Sequence, residues 1–382
     1  MMRAGQGVVI LSVMLLMLGV VMVNSAGLSV STDPLTLKEM VMSRPAMLAM
    51  FAIGAMWMGS RFPFRLLHVK FAGLPLVFWL VPIALLLLFA VYVPGIGKRV
   101  NAANRWLDFG GFAFQPSEVA KWALVAAIAW WGATYSKNIH SFKKGFLPAI
   151  LVVGLICGVI AVEDLGTAVL IFGTACVLLF AAGCKTMHFV SLFPFGIAAL
   201  VGAIMTSSYR MNRLKAFIDP YDDPGDIGYH ILQSLTAISS GGLAGLGLGH
   251  GVHKFGYLPE DTTDFIFSII CEELGVVGAG AVLCLYAGIL ILSFSVIRKC
   301  KDTLLRLLVL GIATTIGLQA SINILVVTSL APTKGIALPL LSNGGTGWLL
   351  TAFCIGLINA VDRTSQEETA FTTTEKWQPS NA

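Results

Sequence analysis

The sequence predicts an all-α, polytopic integral membrane protein with about ten transmembrane helices and one long extracytoplasmic loop. Three observations predict this fold class. Of the 382 residues, 57% are hydrophobic and only 12% are charged, whereas soluble domains are nearer ~45–50% apolar and ~25% charged. Apolar runs long enough to cross a bilayer recur along the chain, and the basic residues gather in alternate loops between them.

The predicted spans follow from the length of each apolar run, because a hydrocarbon core of ~30 Å needs ~20 helical residues. We predict spans at 7–29, 43–60, 72–94, 117–135, 146–163, 165–183, 186–206, 265–297, 304–330 and 336–361. The first resembles a signal peptide, but a retained helix is the better interpretation beside so many further spans. The run 265–297 is too long for one crossing, and Gly275, Gly278 and Gly280 are candidate break points.

The distribution of cations predicts the orientation. They lie in every second loop, at Arg61, Arg65, Lys70, Lys137, Lys143, Lys144, Lys185, Arg298, Lys299, Lys301 and Arg306. By the positive-inside rule both termini are cytoplasmic and the long loop 207–264 is outside. We therefore predict one membrane domain over 1–362, and a disordered cytoplasmic tail over 363–382 because that segment is polar and aperiodic.

Two function classes are disfavoured by composition. The net charge of +5 restates the loop bias, and no interleaving of basic and aromatic residues suggests nucleic-acid binding. The seven cysteines are odd in number and form neither a disulfide framework nor a CxxC metal site.

Carboxylates concentrate at the end of the long loop, in "YLPEDTTDFIFSIICEELG" (257–275). Five of the chain's 20 acidic residues lie here: Glu260, Asp261, Asp264, Glu272 and Glu273. Glu260 and Asp261 are interpreted as solvated acids that cap a helix. Asp264, Ser268 and Glu272 would share one helix face. Because Asp264 lies beside apolar bulk, its partly desolvated carboxylate suits a general base.

A second polar group opens the predicted fourth span, in "QPSEVAK". Ser117 is a plausible N-cap, and Glu118 and Lys121 share a helix face. For Glu118 alone, a local ion pair is the preferred interpretation. Lys121 is a cation just inside the predicted outer boundary, so it should need a partner. Asp164, in "EDLGTA", is interpreted as the cap of the sixth span and not as a ligand.

The remaining outer residues favour an anionic ligand. Six cations in or beside the predicted outer loops carry this inference: Arg105, Lys121, Arg210, Arg213, Lys254 and Lys334. Together they form a mouth suited to phosphate, and hence to an anionic lipid. The segment 229–238, which contains Gln233 and Ser234, has the spacing of a short amphipathic helix. The glycine-rich run 241–251 lacks the GK[ST] ending of a phosphate loop, so we interpret its glycines as turn-formers.

Successive motifs of the chain resemble those of one known family. They are "NRWLDFGGFAFQPSEVAK", "DLGTA", "YHILQSLTAISSGGLAGLGLG", "YLPEDTTDFIF", "EELG", "QASINI" and "PTKGIALPLLSNGG". In order, they are similar to the signatures of the SEDS family (shape, elongation, division and sporulation), over about residues 100 to 350. "PTKG" is more similar to the cell-division members than to the elongation members. The sequence departs from the family at Glu163 and Asn343, which affects fine substrate contacts.

The resemblance implies a peptidoglycan glycosyltransferase that polymerises lipid II, an undecaprenyl-diphosphate-linked disaccharide peptide, by inverting glycosyl transfer. It implies work at the outer face of the cytoplasmic (inner) membrane, at the division septum. It also implies partnership with a class B penicillin-binding transpeptidase and other division-complex membrane proteins.

The resemblance also implies residue roles. Asp264 matches the family's essential acid, and Glu118 and Lys121 match its P-S-E-x-x-K motif. The expected substrate-binding residues are Arg105, Arg210, Arg213, Lys254, Lys334, Gln233 and Ser234. A divalent cation (Mg or Mn), held by Asp264 and Glu118, is an expected cofactor.

Two alternatives stay open at this stage. A lipid II flippase would need a polar path through the membrane, but the predicted span centres carry almost no charge. A non-catalytic scaffold of the division machinery would tolerate replacement of Asp264.

Overall fold

The computed structural model describes residues 2–27, 37–71, 73–100, 103–108, 110, 113–254, 258–260 and 262–375. Within them the chain forms thirteen α-helices and five short strands. The helices are α1 (Ala4–Ala26), α2 (Leu37–Val41), α3 (Arg44–Ser60), α4 (Leu76–Ala90), α5 (Pro116–Thr134), α6 (Leu147–Glu163), α7 (Leu165–Ala181), α8 (Thr186–Met205), α9 (Ser208–Ile218), α10 (Tyr229–Ser240), α11 (Ile266–Lys299), α12 (Thr303–Val327) and α13 (Gly345–Glu375). The strands are β1 (Lys70–Phe71), β2 (Leu74–Pro75), β3 (Gly97–Val100), β4 (Ala103–Asp108) and β5 (Ala113–Phe114).

The predicted all-α membrane architecture is confirmed. Each predicted span overlaps one helix, namely α1, α3 to α8 and α11 to α13. Six described helices are long and apolar enough to cross a membrane: α1, α6 with the turn before it, α8, α11, α12 and α13. Two shorter apolar helices, α4 and α7, lie among them.

Helix α11 is interrupted as the sequence predicts. Gly275 adopts φ 64° and ψ −162°, which only glycine tolerates readily. Backbone hydrogen bonds connect the glycine-rich loop 241–251 to both sides of this break. Leu246 N donates to Glu272 O at 2.9 Å, and Val276 N donates to Gly242 O at 3.1 Å. The part of α11 that precedes Gly275 is therefore a separate segment directed towards the residues described below.

Helix α12 is the central element of the bundle. It packs against α5, α7, α11 and α13, and fifteen of its residues are buried. By contrast, α8 contributes no buried residue. The buried polar side chains on α12, namely Thr315, Gln319 and Asn323, therefore face other parts of the chain, where each needs an internal partner.

The long loop 207–264 contains two helices. The predicted amphipathic segment is confirmed as α10. Helix α9 was not predicted, because its cations alternate with apolar residues in "SYRMNRLKAFI" and mask the helical spacing.

A three-stranded antiparallel sheet precedes α5 and was also not predicted. Its central strand β4 pairs with β3, where Trp106 lies opposite Lys98, and with β5, where Leu107 lies opposite Phe114. Strands of two to six residues carry too little alternation to be recognised from the sequence.

Several predicted boundaries are corrected. The last helix begins at Gly345, because Pro339 and the glycines that follow it interrupt the predicted span. It continues to Glu375, past the predicted tail boundary. There Ser365 Oγ donates to Lys299 O at 3.5 Å. The N-cap of α5 is Gln115 and not Ser117. Asp261 and residues 376–382 lie outside the described residues.

Candidate active site

Asp264 lies in the turn that leads into α11. The turn is closed by Thr263 N and Phe265 N, which both donate to Glu260 O. Asp264 is partly buried, and its Oδ2 faces Gly335 so closely that a Cβ added there would lie 2.7 Å away. Because Gly335 has no side chain, loop 328–344 can approach this carboxylate.

The surroundings of Asp264 make it a weaker acid than usual. Burial, the main cause, together with the negative charges of Glu260 and Asp164, raises the pKa of Asp264 from 3.8 to about 7, although Arg213 and Arg105 oppose the rise. A carboxyl with a pKa near neutrality can accept a proton and later release it, which is what a general base must do.

Asp164 lies between two cations, Arg105 and Lys334. As the sequence predicts, it caps α7, accepting from Thr167 N at 3.1 Å. It also lies 3.3 Å from Lys334 Nζ and 3.7 Å from Arg105 Nη1. Burial would raise the pKa of Asp164, but the two cations and Thr167 outweigh burial and lower it. Asp164 therefore stays ionised and holds both cations in place.

The two cations reach Asp164 from distant parts of the chain. Arg105 is carried on β4, and its Nε is buried without a hydrogen-bond partner among the described residues. Lys334 crosses Gly166, where any Cβ would collide with the lysine stem. Both side chains keep some exposure, 28% for Arg105 and 23% for Lys334. Because both side chains remain partly exposed, they can also bind an anionic ligand that enters from the solvent.

Arg213 completes the cationic side. Its Nη1 donates to Thr333 O at 3.1 Å, and its guanidinium stacks over the ring of Tyr209 at 4.5 Å. Glu260, Asp264, Asp164, Arg105, Arg213 and Lys334 are called the mouth cluster below. A cavity of about 560 Å³ adjoins it, and its polar side is lined by four cations, Arg105, Arg210, Arg213 and Lys334, and by the acidic residue Glu163. Its remaining lining is largely apolar and includes Val169, Leu200, Ile204 and Ile322. The cavity therefore suits a ligand with both an anionic group and an apolar chain.

The predicted Glu118 and Lys121 pair is present on α5. Lys121 Nζ lies 2.9 Å from both Glu118 oxygens and donates to Gln319 Oε1 at 3.0 Å. Only 1% of Lys121 is exposed, so its ammonium group is reserved for protein partners. This geometry favours a positioning role for Lys121 over contact with a substrate.

The predicted metal ligands are not a ready-made pair. Both Glu118 oxygens contact Lys121, so Glu118 would have to leave its cation to bind a metal ion. In the part of the chain that the structure describes, no three His, Cys, Asp or Glu side chains are grouped to hold a metal ion. The metal site at Asp264 and Glu118 stays a prediction.

Three of the predicted substrate-binding residues contact other parts of the protein. Arg210 lines the cavity, but its guanidinium donates to the backbone oxygens of Ala203, Ala161 and Val162. It therefore serves to tie α6 to α8. Ser234 is 1% exposed, and its hydroxyl contacts Ser268 Oγ at 2.8 Å and donates to Val327 O at 2.7 Å. Its neighbour Gln233 is partly buried, and its predicted role stays a prediction.

Lys254 is the third of these residues, and its side chain is buried. Its Nζ lies 2.8 Å from Glu273 Oε1, and neither side chain is exposed. Ser25 Oγ, on α1, donates to Glu273 Oε2 at 2.7 Å. Glu272 Oε1 accepts from Val252 N at 2.8 Å and lies 2.9 Å from His253 Nδ1. These residues, Ser25, His253, Lys254, Glu272 and Glu273, are called the buried cluster below.

Sequence reasoning missed three residues of the site. Asp164 was interpreted only as a cap, and Gln319 and Asn323 were quoted within "QASINI" without a role. Asn323 is 1% exposed and donates to Asp264 O and to Ile336 O, both at 2.7 Å. The signal available was the polarity of Gln319 and Asn323 four residues apart inside an apolar span, which marks a buried contact face.

Comparison with known proteins gives one family across nearly the whole chain. A model of the FtsW/RodA/SpoVE family, described as "Cell cycle protein", matches residues 6–367. A "Probable peptidoglycan glycosyltransferase FtsW" of Geobacter sp. (strain M18) is 40% identical over 73% of this chain and 77% of its own length. "Stage V sporulation protein E" of Bacillus subtilis (strain 168) is 39% identical over 75% and 79%.

A solved structure agrees with this match. It is described as "Structural coordination of polymerization and crosslinking by a peptidoglycan synthase complex", and it superposes with a TM-score of 0.75 at 26% identity. The alignment covers 94% of this chain and 98% of the other.

Proposed function

Since this chain belongs to the FtsW/RodA/SpoVE family of cell cycle proteins, we propose that it is a peptidoglycan glycosyltransferase that polymerises lipid II into glycan strands. The observation that carries the proposal is the position of Asp264. It is a carboxyl whose pKa is raised to about 7, and it lies against Gly335, next to Lys334 of the cation-lined cavity. Base and anion site are thus side by side.

The reaction joins two lipid-linked sugars. A hydroxyl oxygen of the acceptor sugar forms a bond to the anomeric carbon of the donor, and the bond from that carbon to the diphosphate breaks. The hydroxyl proton passes to Asp264, and the bonding electrons leave with the diphosphate. A positioned base typically contributes ~10²–10⁴-fold to such a step.

The cations of the mouth cluster act on the other half of the reaction. As the carbon–oxygen bond breaks, negative charge grows on the diphosphate. Arg105, Lys334 and Arg213 can stabilise that charge where it develops, and Asp164 keeps two of them oriented in advance. The apolar walls of the adjoining cavity, formed partly by α7, α8 and α12, would accept the polyprenyl chain.

Further parts of the proposal rest on family membership. We place the active site on the outer face of the cytoplasmic membrane, with both termini inside, and the protein at the division septum. A class B penicillin-binding transpeptidase and other division-complex membrane proteins are the expected partners. The description of the superposed structure as a synthase complex of polymerisation and crosslinking supports such a partnership.

A divalent cation, Mg or Mn, stays a prediction. Asp264 and the substrate diphosphate would have to hold it, because Glu118 is engaged by Lys121. When bound, it would supply charge neutralisation for the departing diphosphate.

The decisive experiment purifies the full chain with its partner transpeptidase and supplies labelled lipid II. The parent should form glycan strands, and Asp264→Asn should form almost none at equal expression and partner binding. Normal polymerisation by the variant would refute Asp264 as the base. If the parent moves lipid II across the membrane of vesicles without polymerising it, the flippase alternative is favoured. If the parent is inactive in both assays, the scaffold alternative is favoured.

A further inference from the structure

Two amide side chains on α12 lie between the elements that carry the proposed active site. Gln319 and Asn323 are four residues apart and so share one face of the helix. Among the described residues, neither side chain forms a hydrogen bond within its own helix. Their amides instead contact three other segments: α5, the turn before α11, and loop 328–344.

Asn323 joins the turn before α11 to loop 328–344. Its Nδ2 carries two hydrogens, one for Asp264 O and one for Ile336 O, with both distances 2.7 Å. The same amide therefore fixes the backbone of the proposed base and the backbone two residues beyond Lys334. Asn323 is 1% exposed, so water does not compete for these bonds.

Gln319 extends the arrangement to α5. Its Oε1 accepts from Lys121 Nζ at 3.0 Å, and its Nε2 donates to Ala337 O at 2.8 Å. Since Lys121 also contacts Glu118 at 2.9 Å, the ion pair of α5 is linked through one amide to the loop that carries Lys334. The buried Lys121 therefore has a structural role, connecting Glu118 to Gln319, that does not require contact with a substrate.

We propose that Gln319 and Asn323 are positioning residues, which hold the Asp264 turn, the Lys334 loop and the Glu118–Lys121 pair at fixed separations. The inference rests on the proposed glycosyltransferase function, because only a reaction that uses the base and the cations together needs their separation fixed. A misplacement of about 1 Å in such a site can cost ~10²-fold in rate.

The alternative is that the two amides merely stabilise the bundle, and α12 offers a matched control. Thr315 lies one turn before Gln319 on the same face, is 0% exposed, and donates to Gly311 O within its own helix at 2.7 Å. Thr315→Val removes a buried hydrogen bond without touching the site. Asn323→Leu removes two that lead to the site, and leucine has the same branched arrangement of four side-chain heavy atoms, although its methyl groups are larger.

The test measures kcat and KM for labelled lipid II, and thermal denaturation in detergent, for the full chain with its partner. We expect Asn323→Leu to lower kcat ~10- to 100-fold with KM little changed. Thr315→Val should keep kcat within about twofold of the parent at a comparable Tm, because its bond stays within one helix. Equal kcat losses in both variants, or a normal kcat in Asn323→Leu, would overturn the inference.

A second variant decides the matter if Asn323→Leu does not fold. Gln319→Met keeps the length of the side chain and adds no charge, but it loses both the acceptor for Lys121 and the donor to Ala337 O, so both links of this amide are cut. We expect kcat to fall while KM holds, and unchanged kcat would overturn the inference. The parent is the control for the proposed function itself, because a parent that polymerises nothing would refute that function whatever the variants do.

Discussion

The stretch 257–275 supplies carboxylates to two clusters that differ in almost every physical respect. In the mouth cluster, Asp264 has a raised pKa and lies beside a cavity. In the buried cluster, Glu272 and Glu273 are 0% exposed and bind other parts of the chain. Only two helical turns separate the two groups, so neither composition nor distance along the chain distinguishes them.

The difference lies in where the partners come from. Glu273 contacts Lys254 and Ser25 at hydrogen-bond distance, so protein groups compensate its charge. The cations near Asp264 are shared with Asp164 and the cavity, and its carboxyl stays under-compensated. We therefore expect Glu273 to stabilise the fold, whereas the under-compensated Asp264 is available for chemistry.

The largest expected effect separates activity from stability at Asp264. Asp264→Asn should lower polymerisation ~10²–10⁴-fold without lowering Tm. Because the folded protein raises this pKa from 3.8 to about 7, the carboxyl contributes stability while protonated, and that contribution is lost as pH rises through about 7. The Tm of the variant should therefore equal or exceed that of the parent at about pH 8, with no gain at about pH 4.

Glu273→Gln is the matched control for this experiment. It should give the opposite pattern, a lower Tm and near-normal polymerisation per folded molecule. If Asp264→Asn lowers Tm at about pH 8 as much as Glu273→Gln does, the contrast between the clusters fails.

The next effect concerns Lys254 and Lys334, which the sequence assigns to the same group of outer cations. Lys254→Met leaves Glu273 without this buried cation, so we expect a loss of about 3–5 kcal/mol in unfolding free energy. The double variant with Glu273→Leu should recover much of it, since an apolar pair can replace a buried ion pair. Denaturation in detergent measures both.

Lys334→Met provides the comparison at the mouth cluster. Asp164 keeps Arg105, and Lys334 is 23% exposed, so Tm should change little. The efficiency kcat/KM for lipid II should fall, because a cation for the diphosphate is gone. A Lys334 variant that loses stability and keeps efficiency would reverse the assignment of the two lysines.

A smaller effect is expected in the pH dependence of kcat/KM, which reports groups of the free enzyme. Activity should decline as pH falls through about 7, where Asp264 becomes protonated. Glu260 raises that pKa and Arg213 lowers it. Glu260→Gln should therefore move the acid limb to lower pH, and Arg213→Gln should move it to higher pH. Shifts in the same direction would show that another group controls the limb.

Much of the fold could be predicted because the bilayer imposes simple rules. Each predicted apolar run overlaps one helix of the described chain, and the excess length of 265–297 predicted the break that occurs at Gly275. The apolar neighbours of Asp264 pointed to a desolvated carboxyl. Each of these inferences uses residues that are close in the sequence.

The rest depends on contacts between distant segments. Asp164 meets Lys334 and Arg105 only after α6, β4 and loop 328–344 converge. The sequence predicts that Lys254 is an exposed loop cation, because no neighbouring residue in the sequence indicates that loop 241–254 packs against the part of α11 before Gly275. Strand β4 is too short to detect, although it carries Arg105.

The smallest effect is expected at Glu272, which tests whether its burial has a catalytic purpose. Its Oε1 accepts from Val252 N and lies near His253 Nδ1, while Oε2 has no partner among the described residues. Glu272→Gln keeps the acceptor and removes the charge, so we expect a loss of only ~1–2 kcal/mol in stability. Polymerisation and the acid limb of kcat/KM should match the parent. A shifted limb would mean that the two clusters share protons, and the division between a catalytic and a structural cluster would have to be abandoned.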